Sequence, residues 1–208
     1  MARVSREEFA RLPLRVHGFL ADVPLYDVWA VDLPHAHGGA TVHEFLPAAH
    51  LASCKLSPAT RALLGLRLFA GRLLGWDREP SAITEVSFAN RMTSPDRSRS
   101  LVPVGTKQGL FRVVYQFENE RLLEMVNRIA HAGALSALIE RENGYRFYLA
   151  VYVQNTSGFT PMYMALISPF RKFIVYPSLL RSVRSAWNEF CAQRMRQFPE
   201  KSAALRDR

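Results

Sequence analysis

Four of the six histidines, His35, His37, His43 and His50, crowd into one short stretch of the chain. Neutral imidazoles are common transition-metal ligands. However, His35 and His37 sit in a Gly-rich loop, His43 and His50 are not at i, i+4, and no cysteine or carboxylate joins them at a recognised spacing. They read as loop histidines, and no metal and no cofactor is expected. His131, Glu124 and Asp27 are of the type that serves as acid or base in a cavity. Nothing in their spacing brings them together, so they read as isolated polar residues on strands. Glycine-rich phosphate loops and Gly-x-Ser-x-Gly elbows are absent from the sequence. Cys54 and Cys191 share no motif spacing and read as buried free thiols in a reducing cytoplasm.

The chain has 27 basic against 18 acidic residues, a net charge of +9. From Arg171 to Arg208 nine bases face three acids, with Trp187, Phe190 and Phe198 among them. Such a segment can form an amphipathic helix that touches an anionic membrane surface. A nucleic-acid role would draw on the same charge but has no recognisable motif, and no nucleic-acid partner is expected. The longest apolar runs are far shorter than the roughly 20 residues a membrane span needs. The first residues reach charge and Pro13 before an apolar run forms, so they do not read as a secretory signal.

The elements that must position these residues follow from periodicity and punctuation. Residues 1–13 read as a loose or short helical arm. LYDVWAVDL (25–33) is rich in β-branched and aromatic residues and stops at Pro34, as a first strand does. Thr41-Val-His-Glu44 is a capping box that starts a helix, which Pro47 shortens or kinks. Ser57-Pro58 opens a second helix, whose apolar stripe (Leu63, Leu66, Ala70, Leu73, Leu74) ends at Gly75. The period then changes to two. Ile83–Phe88 alternates; so does 110–118, where Phe111, Val113, Tyr115 and Phe117 share a face. Strands are predicted over 122–129 and 135–141, with Gly133 as a bulge or turn between them. Glu142-Asn143-Gly144-Tyr145 predicts a type I′ hairpin into a strand over 146–154, with Phe147, Leu149, Val151 and Val153 on its apolar face. Segment 92–108 is polar, with Pro and Gly, and reads as a mobile hairpin tip. From Met162 to about Arg196 the composition is helical, with Pro169 and Pro177 set to kink or divide the helix.

This order of strand, two helices, antiparallel strands and long C-terminal helix is similar to the helix-grip fold of the START-like and polyketide-cyclase-like (SRPBCC) superfamily. In that α+β fold a curved antiparallel sheet wraps the C-terminal helix. More narrowly, the chain resembles an uncharacterised bacterial family of that superfamily. YDVWAVDLP (26–34), LRLFAGRLLGWD (66–77), FRVVYQFENERLLEM (111–125) and MYMALISPFRKFIV (162–175) carry the resemblance. The implied organisation is an N-terminal arm (1–20), one helix-grip domain (21–196) and a basic tail (197–208).

The resemblance also implies a cavity between sheet and C-terminal helix that holds an apolar or amphipathic small molecule. The inward face would contribute Phe111, Val113, Tyr115, Phe117, Met125, Phe147, Leu149, Val151 and Val153. Met162, Tyr163, Leu166, Ile167 and Phe170 would close it from the helix. Tyr115, Asn127 and Tyr163 would supply orienting polar groups. The leading expectation is therefore a cytoplasmic binder of an unidentified apolar small molecule. The alternatives are a cofactor-free cyclase- or hydrolase-like enzyme and a protein that touches membrane through its basic C-terminal segment.

Overall fold

Alternating apolar residues cannot bury one face without a partner layer, and here both faces of the sheet find one. The structure, a computed structural model, describes residues 2–36, 39–53, 86–127, 130–156 and 160–197, with isolated positions 58, 62, 65 and 158 between them. Of the expected helix over 57–75, positions 58, 62 and 65 are described and helical, and the rest lies outside the described residues. Among the described residues seven strands form one antiparallel sheet: β1 (Ala2–Arg3), β2 (Leu25–Leu33), β3 (Lys107–Gln108), β4 (Phe111–Gln116), β5 (Glu120–Val126), β6 (Ala130–Arg141) and β7 (Gly144–Asn155). Their order is β1-β2-β7-β6-β5-β4-β3. The long first strand thus pairs with the last, Val28 opposite Ala150, and β3 to β7 form a meander.

One face is covered from the N-terminus by α1 (Arg6–Ala10) and α2 (Val16–Phe19). The residues expected to form a loose or short helical arm do form a short helix, and it is part of the core rather than loose. Phe9, Val16 and Leu20 are at most 1% exposed and pack with Leu122, Leu135, Tyr148 and Ala150. The same face receives a 3-10 helix (Phe88–Arg91). Val86 is helical and Phe88 opens this turn, so the alternation over Ile83–Phe88 does not end in a strand; residues 83–85 lie outside the described residues.

The opposite face is covered by α3 (Val42–Ser53), and α4 (Ser94–Arg99) follows the 3-10 helix in sequence. The capping box closes as expected: Glu44 N donates to Thr41 Oγ1 at 3.2 Å, and Thr41 N donates to Glu44 Oε2 at 3.1 Å. Yet α3 continues through Pro47 to Ser53. One backbone hydrogen bond is lost there, while Phe45 and Leu46, the two residues before the proline, are buried. Segment 92–108 is not a bare tip. It contains α4, N-capped by Thr93, whose Oγ1 accepts from Asp96 N.

The C-terminal half runs from α5 (Thr160–Phe170) through a π-helical turn (Arg171–Val175) into α6 (Tyr176–Gln197). Pro177 has no N–H to return to the Phe173 carbonyl, and the Tyr176 N–H reaches back five residues to Arg171 O. The chain widens by one residue there, as π-turns do. The predicted division therefore falls between the two prolines. Helix α6 lies against the sheet: Leu180, Ala186 and Trp187 are fully buried with Val31, Phe45, Phe147 and Leu149. Trp187 Nε1 donates to Pro34 O at 2.9 Å.

Two turn readings change their reason. Gly133 lies within β6, between Ala132 and Ala134, and not in a turn. A Cβ there would stand 3.3 Å from Leu20 Cδ1 and 3.5 Å from both Leu122 and Phe88, so it is a close-approach glycine. The predicted hairpin forms, but no described non-glycine residue has positive φ, so Asn143 does not adopt the left-handed geometry of a type I′ turn. Gly144 has φ +137°, and a Cβ on it would lie 2.3 Å from the Leu33 carbonyl. It is needed where β7 begins to pass β2.

Candidate functional site

The predicted apolar face of 111–117 assumes unbroken alternation. Instead the register slips between Val113 and Tyr115. One extra residue reverses which side every later side chain faces. Val113 stands opposite Leu123, on the α6 side of the sheet, while Tyr115 stands opposite Leu122, on the N-terminal side, and Phe117 stacks on it with ring centroids 4.7 Å apart. Phe111, Val113, Met125, Phe147, Leu149 and Val151 thus stay on the α6 side, and Tyr163 is buried there with Val153 and Met164. Asn127 closes the β5–β6 turn, its Oδ1 accepting from Ala130 N at 2.9 Å. Leu166 and Phe170 are 68% and 47% exposed and face away from the sheet. Where Phe147 and Leu149 meet α6, indole and leucine side chains fill the interface.

A cleft of about 550 Å³ lies on the other side. Its walls are Leu12, Pro13, Leu14, Arg15 and His17 from the arm, Asp96 and Arg99 from α4, and Phe117, Asn119 and Glu120 from the β4–β5 corner. Pro13 and the turn after it bring the Arg15 N–H to Glu120 Oε1 at 2.8 Å. Arg15 Nη2 reaches Asp96 Oδ2 at 2.6 Å, tying the arm to α4. That hydrogen bond holds the Asp96 carboxyl below its usual range and raises the guanidinium further.

Glu120 is 1% exposed. Burial pushes its carboxyl up to about 7, against the opposing pull of the Arg15 and Val16 amides and the Arg15 charge. Its Oε2 has no hydrogen-bond partner, and neither does the buried hydroxyl of Tyr115 or the Nε2 of His17. Burial raises the Tyr115 phenol well above its ordinary value, and the nearby Glu120 adds to this. His17 is lowered by burial, opposed by the carbonyls of Phe9 and Leu12. Buried polar atoms normally find partners. Of these three, Glu120 and His17 line the cleft and can orient a ligand, while Tyr115 stacks on Phe117, which lines it. Of them only Tyr115 was singled out from sequence; Glu120 is masked by its resemblance to a turn residue in Asn119-Glu120.

The three candidate acid–base residues divide between the faces. His131 Nε2 lies 3.0 Å from Glu124 Oε2, both side chains 2% exposed. The Phe88 ring stacks on the imidazole with centroids 3.6 Å apart. Phe88 N donates to Glu124 at 2.8 Å, and the Ser87 hydroxyl donates to it as well. Burial raises the Glu124 carboxyl, but these hydrogen bonds outweigh it and leave it lowered. The cluster is closed over by its neighbours and anchors the 3-10 helix to the sheet. Asp27 is on the α6 side, where Arg171 Nη2 approaches its Oδ2 at 3.0 Å and Tyr176 OH donates to the same oxygen at 3.1 Å. That ion pair fastens the π-turn to β2.

Among the described residues no group of three His, Cys, Asp or Glu side chains is placed to hold a metal ion. His35 Nε2 instead contacts Glu142 O at 2.9 Å, and His43 Nδ1 meets the Gln116 amide at 2.7 Å. His37 and Cys54 lie outside the described residues, while Cys191 is a free thiol. No described helix is long and apolar enough to cross a membrane.

A two-sided α+β sheet with a polar-lined cleft is the class that fold and site define. The chain belongs to DUF2867, a protein family of unknown function, whose model matches residues 19–178. No curated protein and no solved structure matches the chain.

Proposed function

We propose that this protein binds a small amphipathic molecule in the cleft between its N-terminal arm, α4 and the β4–β5 corner. The observation that carries the reading is a pair of buried, unpartnered polar atoms on residues that line the cleft, Glu120 Oε2 and His17 Nε2. Leaving such atoms unmet costs about 1–3 kcal/mol each, a cost that a ligand with matching donors and acceptors removes. Leu12, Pro13, Leu14 and Phe117 offer the apolar surface on which its body would rest. The pairing of the first long strand with the last, and a C-terminal helix against one face, support a helix-grip reading. The ligand cleft in this proposal is on the side of the sheet away from that helix.

A dye that fluoresces in apolar surroundings, 1-anilinonaphthalene-8-sulfonate, tests this directly. One saturable site and a raised melting temperature are expected, both lost in Leu14→Trp, which fills the cleft. Absence of saturable uptake, or unchanged uptake by Leu14→Trp, overturns the proposal.

A second reading rests on one observation: a carboxyl titrating at about 7 beside a cleft suits general acid–base catalysis near neutrality. It requires that a molecule recovered from the native protein by mass spectrometry be converted on re-incubation with wild type and left unchanged by Glu120→Gln. Equal conversion by both proteins excludes it.

A further inference from the structure

Helix α5 has no charged residue in its sequence TPMYMALISPF. Tyr163 and Met164 turn inward and are buried, whereas Met162, Leu166, Phe170 and Phe173 are 60%, 68%, 47% and 79% exposed. With exposed Ala165 and Pro169 between them, they recur at three- and four-residue steps and form one outward stripe roughly 16 Å long. A solvent-facing helix normally carries polar residues there, as α6 does with Arg181, Arg184, Asn188 and Glu189. Isolated exposed apolar side chains are ordinary, but a continuous stripe marks a contact surface.

The charge around the stripe selects the occupant. From Thr160 to Asn188 the chain has no Asp or Glu but four bases, Arg171, Lys172, Arg181 and Arg184, of which Arg171 is paired with Asp27. Lys172 sits between Phe170 and Phe173, and exposed Arg181 follows on α6. A second copy docked on the same stripe would oppose like charges, each chain carrying +9. A surface that is both apolar and negatively charged meets both features. Within the basic segment from Arg171 onward, Trp187 and Phe190 are in the core, and Arg171, Arg184 and Arg194 are engaged with Asp27, the Asp32 carbonyl and Glu44.

We propose that α5 and the π-turn after it dock on an anionic lipid surface, with Leu166, Phe170 and Phe173 entering the headgroup–acyl boundary and Lys172 meeting lipid phosphate or carboxylate. The experiment is co-sedimentation with vesicles of phosphatidylcholine alone or mixed with phosphatidylserine. The wild-type protein pellets with the anionic vesicles, less so at high salt, and not with the neutral ones. Each large apolar side chain that enters the boundary adds roughly tenfold to partitioning, so Leu166→Glu with Phe173→Glu lowers it about a hundredfold. Both positions are exposed, so far-UV circular dichroism and melting temperature stay unchanged; the single variant Phe173→Ser serves as a second check should the double one misfold. Failure of wild type to pellet with anionic vesicles overturns the proposal, as does equal pelleting of the variants. A wild-type dimer, seen by sedimentation velocity and lost in the variants without any vesicle binding, makes the stripe a subunit interface and also overturns it.

Discussion

Glu120 makes the stability of this protein depend on pH in an unusual direction. Its folded pKa of about 7 lies above the ordinary 4.5, so folding takes up a proton anywhere between those values. The stabilisation is complete below about pH 4.5, declines through the window, and is gone above about pH 7. The shift corresponds to about 3 kcal/mol in all. Glu120→Gln keeps the acceptor for Arg15 N–H but cannot titrate, and its unfolding free energy should be flatter between pH 5 and pH 8 than that of wild type. Urea titrations at both ends of that range check it; parallel curves would assign the slope to other groups. Tyr115 was legible as a candidate because aromatic residues with a polar tip stand out in a strand. Glu120 was not, because a carboxylate beside asparagine at a corner looks like a turn residue. Only the fold puts the arm over it and takes it out of water.

At the scale of elements, local chemistry was readable wherever it acts over a few residues. The capping box of Thr41 and Glu44, the first strand ending at Pro34, the β6–β7 hairpin and the helix division before Pro177 all follow from neighbours in sequence. What was not readable depends on partners far along the chain. The slip at Val113–Tyr115 has no glycine to announce it, yet it sends Tyr115 and Phe117 to the side opposite the one their alternation predicts. Gly133 looks like a breaker until Leu20, Leu122 and Phe88 are seen to crowd it. Likewise, residues 2–20 are too polar on average to read as core, because one residue in several, such as Phe9 or Val16, does the packing. Removing them uncovers Leu122, Leu135 and Tyr148, and at about 1.5–3 kcal/mol for each large side chain lost this is on the order of 5 kcal/mol. A chain starting at Asp22 should therefore melt far lower or precipitate, while one starting at Val4, which loses only the short β1, should keep most of its stability. Thermal scans of the two truncations decide it; equal melting temperatures would mean the arm is not integral to the core.

For the whole molecule, one sheet serves both cores, so neither covering layer can leave without exposing strands the other needs. Trp187 reports on the α6 side and far-UV circular dichroism on the whole, and the two should trace a single coincident transition in urea. Separate midpoints would mean that the layers come apart independently. Pairing the earliest long strand with the latest also has a cost during synthesis. LYDVWAVDL emerges from the ribosome long before its partner around Ala150 exists, leaving a greasy ribbon idle for on the order of ten seconds. Throughout that interval the nascent protein presents a sticky backbone edge, which makes it a natural client for holding chaperones and predisposes it to inclusion bodies when overproduced.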